Sequence, residues 1–232
     1  MKGYFKQRQV LSWALYDWAN SAYATVVMAG FFPIFFKNYW AVGIEATESS
    51  FYLGVANSVA SLIVVLLAPV LGAIADQGSA KKRFLIFFAL MGIVMSFSLS
   101  LVAEGEWLLA VLIYIAATLG FSGSVSFYDA LIVDVARNQS LDRVSAFGFA
   151  MGYLGGGILF AFCVWLTLSP NTFGLMDASE AEQVAFVLVA LWWALFTIPL
   201  MLWVEEPKRN KSDSALSTIR RGVNQVHNTF NE

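Results

Sequence analysis

Six stretches of mostly apolar residues, at about 12–36, 51–75, 84–103, 107–133, 145–168 and 184–204, constrain this chain more than anything else in it. An α-helix needs roughly 20 such residues to cross about 30 Å of hydrocarbon. Backbone in lipid must satisfy its own hydrogen bonds, and a helix does so within itself. The expected fold class is therefore all-α: a membrane protein with six transmembrane helices within residues 1–206, followed by a polar tail over 207–232. Composition agrees, because the 232 residues are 59% hydrophobic and only 13% charged. Soluble domains are about a quarter charged, and one soluble core cannot hide so much apolar surface. The first apolar stretch is of full spanning length, so it reads as an uncleaved helix rather than a signal peptide.

Charge placement predicts direction. Of the 14 Lys and Arg, 13 fall in the N-terminal tail, in the second and fourth loops and in the C-terminal tail, leaving Lys37 alone on the other side. The opposite loops instead carry Glu45, Glu48, Glu104, Glu106, Asp177, Glu180 and Glu182. Lys and Arg stay on the cytoplasmic side. The expected topology is multi-pass in the cell (inner) membrane with both termini cytoplasmic. Six tryptophans near span ends, Trp13, Trp18, Trp40, Trp107, Trp165 and Trp203, read as interfacial anchors. The tail reads as a solvated linker, the alternative being one amphipathic helix around Leu216–Phe230.

Several functions are disfavoured by the same inventory. A net charge of −2 gives no field for nucleic acid. One cysteine, Cys163, permits no internal disulfide, and the single histidine, His227, lies in the polar tail, so no imidazole metal site is expected. No cofactor motif is present.

Ionisable residues inside a span cost a few kcal/mol on insertion scales and mark function by default. Helix 1 holds Asp17 within Tyr16-Asp17-Trp18-Ala19-Asn20-Ser21-Ala22-Tyr23, and helix 4 holds Asp129 after Tyr128, with Asp134 nearer the exit. The two helices run in opposite directions, which puts Asp17 and Asp129 at matched depth. Two such carboxylates can share a cation, a proton or a basic substrate group. Asn20 and Ser21 follow Asp17 at i+3 and i+4, which predicts one polar helical face. Helix 5 reads Gly148, Gly152, Gly155, Gly156 and Gly157, a spacing that lets two helices approach closely.

Between helices 2 and 3 stands Gly72-Ala-Ile-Ala-Asp76-Gln-Gly78-Ser-Ala-Lys81-Lys82-Arg83. It resembles the signature loop of the major facilitator superfamily. Gly72 there predicts close helix packing, and the basic cluster predicts a grip on the inner leaflet or a neighbouring helix end. Asp134 and Arg143 resemble the junction after helix 4 in the same superfamily. The run Ser12-Trp13-Ala-Leu-Tyr16-Asp17-Trp18-Ala-Asn20-Ser21, with Asp142-Arg143 leading to Gly152-Tyr153, is similar to the bacterial branch of the vacuole effluxer family.

That resemblance implies the N-terminal six-helix half of a twelve-helix secondary transporter, working by alternating access on a small solute, amino acids at the family level. It places Asp17, Asn20, Ser21, Tyr23, Tyr128 and Asp129 as substrate or proton-coupling residues. Gly72, Asp76, Gly78, Lys81, Lys82, Arg83, Asp134 and Arg143 become a conformational element. Its implied partners are the lipid bilayer and a second six-helix half, with a homodimer as the alternative. A fragment of a longer transporter is the favoured reading. A non-transporting membrane scaffold is the rival. An intramembrane aspartyl protease would pair Tyr-Asp with Gly-x-Gly-Asp, and no such tetrapeptide exists in the chain.

Overall fold

A computed structural model describes residues 2–77, 80–136 and 140–206. Its six long helices are all apolar enough to span a membrane. The first, α1, starts as a regular helix over Lys2–Ala22. It widens to π-helical pairing over Tyr23–Phe31, tightens for one turn over Phe32–Phe35, and widens again over Phe36–Trp40. The Phe32 N–H bonds the Val27 carbonyl and the Ala41 N–H bonds the Phe36 carbonyl, both five residues back. Pro33 lies in this region and brings no N–H to the ladder. The other helices are α2 Ala46–Gln77, α3 Lys81–Leu99, α4 Trp107–Val135, α5 Leu141–Leu168 and α6 Ala178–Trp203. The start of α6 is written locally: Asp177 accepts from the Glu180 N–H at 2.9 Å, while Glu180 accepts from the Met176 N–H at 2.7 Å.

Several limits differ from those expected from hydropathy. Helix α2 begins at Ala46, because Thr47, Glu48, Ser49 and Ser50 are polar yet helical. Helix α3 stops at Leu99, and turns lead to Gly105, whose φ of 82° suits glycine. That reversal brings α3 and α4 side by side as close antiparallel neighbours. A side chain at Gly120 would run into the backbone of Gly92, so these two glycines set the approach. Helix α1 packs on α5 and α6, α2 lies on α4, and α6 also reaches α3.

The core is aromatic. Phe32 stacks on Tyr114 with ring centroids 3.8 Å apart, and Trp40 packs edge-on against Phe35 while its indole N–H bonds the Val102 carbonyl at 3.3 Å. Trp40 and Trp13 are therefore buried core residues, a correction to their reading as interfacial anchors. Trp18 likewise stacks on Trp192, whereas Trp165 is 53% exposed. Hydropathy places a tryptophan along the membrane normal, but helix packing decides whether it faces lipid.

At the end bearing the N-terminus, polar contacts tie helices together. Lys81 Nζ pairs with Asp134 Oδ2 at 3.1 Å and bonds the Ala130 carbonyl at 2.9 Å, joining α3 to α4. Lys82 Nζ bonds the Val204 carbonyl at 2.7 Å, and its backbone N–H bonds Glu206 Oε1 at 3.0 Å, joining α3 to the exit of α6. Gly72 is different from expectation: a side chain added there meets nothing within 4 Å among the described residues, so it sets no helix contact. Gly78, the Asp76 side chain and the Leu216–Phe230 stretch lie outside the described residues.

Candidate functional site

The face of α1 that meets α4 and α5 carries the costly residues. Trp13, Asp17 and Ser21 follow at four-residue spacing, so one stripe presents an indole, a carboxylate and a hydroxyl. Ser21 Oγ donates to Asp17 Oδ1 at 3.1 Å. Trp13 stacks on Tyr128 of α4, with centroids 4.3 Å apart and planes 7° from parallel, and its indole N–H donates to the Tyr128 carbonyl at 3.1 Å. This pairing locks α1 to α4 beside the carboxylate.

The glycines of α5 fit this stripe one by one. A Cβ on Gly148 would lie 2.7 Å from the Trp13 ring and 2.8 Å from the Tyr128 hydroxyl. On Gly152 it would lie 2.7 Å from Ser21 Oγ and 2.9 Å from Asp17 Cγ. On Gly156 it would meet Thr25 Oγ1 at 2.8 Å, and on Gly155 it would collide with the Trp18 carbonyl. Glycine is thus required for α5 to lie against the polar face of α1. Gly157, by contrast, faces open space.

Asp17 and Asp129 come together in one recess of about 140 Å³. Its walls are Trp13 and Asp17 from α1, Val125, Tyr128, Asp129 and Ile132 from α4, and Ser145 and Phe149 from α5. Asp17 is half-buried and Asp129 exposed on this face of the bundle. Asp17 also borders a second recess of about 230 Å³ with Ser21, Ala24, Thr25, Phe149, Gly152 and Tyr153. It therefore stands between two openings. Among the described residues the first lining has two carboxylates and no Lys, Arg or His, so it attracts a proton or a cation and repels an anion.

Other expected members sit elsewhere. Asn20 is 2% exposed and turns from Ser21 into the core, where the Tyr16 hydroxyl lies among Asn20, Ser124 and Trp193. The predicted polar face is thus split, because i+3 and i+4 fall on either side of Asp17 and α5 takes only one of them. Tyr23 is fully buried, its hydroxyl 3.0 Å from Thr118 Oγ1 and its ring against Phe121 and Trp193. In this structure it packs α1 on α4 rather than lining the recess. The Tyr128 hydroxyl is buried with no hydrogen-bond partner among the described residues, and Arg143 is exposed. Trp13, Ser145 and Phe149 escaped a reading based on charge. Val125 and Ile132 were traceable by helical spacing from Asp129, but only the contact of α5 with α1 reveals Ser145 and Phe149.

The six-helix bundle, its embedded carboxylates and its glycine-seated fifth helix define a membrane-spanning protein of the facilitator type. The vacuole effluxer Atg22-like family model matches residues 39–141 and 134–232, and the chain belongs to that family. It is 40% identical over 208 residues to an uncharacterized MFS-type transporter, YxiO, of Bacillus subtilis, covering 89% of this chain and 48% of that protein. It is 25% identical over 219 residues to Autophagy-related protein 22 of Coccidioides immitis, covering 71% of this chain and 35% of that protein. With the Gibberella zeae protein of the same name, identity is 20% over 314 residues, covering 94% and 47%. The chain spans about half the length of the curated relatives it matches, or less.

Proposed function

We propose that this chain forms the N-terminal six-helix bundle of a secondary-active transporter, and that the Asp17–Asp129 recess is its share of the solute or proton site. The observation that carries this reading is the meeting of two costly carboxylates from separate helices in one recess on the bundle's face. A scaffold has no use for charge there, since a structural carboxylate in a span pairs with a base or stays at the interface. A second bundle, from another polypeptide segment or from a second copy, closes the recess and supplies the groups that complement the solute. Transport then proceeds by rocking of the two bundles around a fixed midplane site. Amino acids are the solute class that the family suggests, and the recess suits the ammonium end of such a molecule. The basic residues of both tails and of the second and fourth loops support a cell-membrane location with cytoplasmic termini. Lys81, Lys82 and Asp134 act in this reading as a conformational clasp rather than as solute ligands.

Uptake into proteoliposomes tests the reading, with the chain alone and with a six-helix second half taken from a homologous transporter. Solute accumulation in either arm, lost in Asp17→Asn, is the expected result. No accumulation in either arm, with both proteins correctly inserted, would leave the scaffold reading standing.

A further inference from the structure

We propose that a groove on the α1–α6 seam is a binding site for one anionic phospholipid, with Arg8 and Trp203 holding its headgroup phosphate. The groove measures about 410 Å³ and is walled by Gln7, Arg8, Leu11, Ser12, Leu15 and Trp203. It is a different surface from the carboxylate recess. Leu11 and Leu15 each stand two residues from Trp13, about 160° around the helix from it at 3.6 residues per turn. The site stands apart from the transport reading.

Three observations select the occupant. First, the Arg8 guanidinium lies 3.9 Å above the Trp203 ring. Such stacking engages a guanidinium face and leaves its N–H edges pointing outward, in the fork that grips phosphate oxygens. Second, the ion pairs among the described residues comprise Lys81 with Asp134 and do not include Arg8. A guanidinium with no ion-pair partner among the described residues, at the mouth of a largely apolar groove, calls for an anion. Third, the lengths agree. From Arg8 the α1 face runs past Leu11, 46% exposed, and Leu15 to Trp18, where the Trp192 indole N–H bonds the Trp18 carbonyl and closes the seam. Ten residues of helix rise about 15 Å, half of a hydrocarbon core of about 30 Å, which is one leaflet. A headgroup at Arg8 therefore places its acyl chain along Leu11 and Leu15, ending at the Trp18–Trp192 pair. A groove between α5 and α6 is walled by apolar side chains such as Ile158, Phe162 and Leu195, with nothing among the described residues to select a headgroup.

Native mass spectrometry of the purified full chain tests the site, with phosphatidylglycerol and phosphatidylcholine of identical acyl chains as probes. Phosphatidylglycerol should be retained about tenfold more strongly than phosphatidylcholine. Arg8→Gln should remove that preference while leaving phosphatidylcholine adducts unchanged, and Trp203→Leu should weaken it in the same direction. Circular dichroism of each variant checks that the helices are intact. Equal retention of the two lipids by the parent chain would overturn the proposal, and so would an undiminished preference in folded Arg8→Gln. Displacement of the lipid by millimolar inorganic phosphate would show a free-anion site instead and would equally overturn it.

Discussion

Asp17 carries the proposed chemistry, and its surroundings separate function from structure at a single atom. Its Oδ1 accepts from Ser21, and the side chain borders both recesses. Asp17→Asn keeps the shape and removes the charge. Transport by the complete transporter should fall by tenfold or more, since one charge-assisted contact is worth about 1.5–3 kcal/mol. Membrane abundance should hold or rise, because a neutral amide costs less in a span. Parallel measurement of protein level and initial uptake rate checks this, and full activity in the Asn variant would remove Asp17 from the site. Tyr23→Phe makes the contrasting case. It deletes the hydroxyl contact with Thr118 deep in the α1–α4 packing, so it should lower thermal stability by about 0.5–1.5 kcal/mol with little change in apparent solute affinity.

Helix α5 shows how an element builds a site without contributing much of its chemistry. Its glycines let the Asp17 stripe lie against backbone, so the carboxylate is half-buried rather than open to lipid. Gly152→Val forces branched carbon into Ser21 and Asp17, and overpacking of that kind costs about 1–3 kcal/mol. Gly157→Ala, five residues along and facing open space, should stay within about 0.5 kcal/mol of the parent. Thermal unfolding of both variants in detergent provides the comparison, and equal losses would mean that α5 does not seat on α1 as described. In α1 the π-helical stretches begin within this contact, at Tyr23, before Thr25, which meets Gly156. Such widened turns recur at functional sites, and here they rotate the aromatic end of α1 into the core while the Asp17 turn stays regular.

At the scale of the whole bundle, the clasp at the basic end and the direction of insertion are the quantities to measure. Lys81 and Asp134 are each 13% exposed, so removing Lys81 deprives a poorly hydrated carboxylate of one cationic partner. Lys81→Met should destabilise the bundle by about 1.5–3 kcal/mol, and adding Asp134→Asn should restore part of that loss. Thermal unfolding of the two single variants and the double variant measures the coupling. Orientation is checked by single cysteines in a Cys163→Ser background. Ala46→Cys, Glu104→Cys and Ala178→Cys, all at exposed positions, should react with membrane-impermeant maleimide in intact cells. Ser140→Cys and Arg83→Cys should react only after permeabilisation. The reverse pattern would invert the proposed topology.

The class of fold was legible in the sequence because it depends on one-dimensional quantities: apolar runs of spanning length, and the cost of a charge within them. Those alone separate six spanning helices from a soluble core and single out Asp17 and Asp129. Side-chain direction was not legible. Trp13, Trp40 and Tyr23 have the composition of anchors or cavity walls, yet helix packing buries all three. Asn20 and Ser21 are neighbours in sequence but part company because α5 covers one side of α1 and the core the other. The recess itself exists only where three helices meet. Its walls at Ser145 and Phe149 follow from the close seating of α5, which the glycine spacing permits but whose partner it does not name. In a bilayer a spanning helix is apolar on its lipid face and its packed face alike, so hydropathy loses much of the face-to-face contrast that reveals a core in water. Tertiary packing alone restores it.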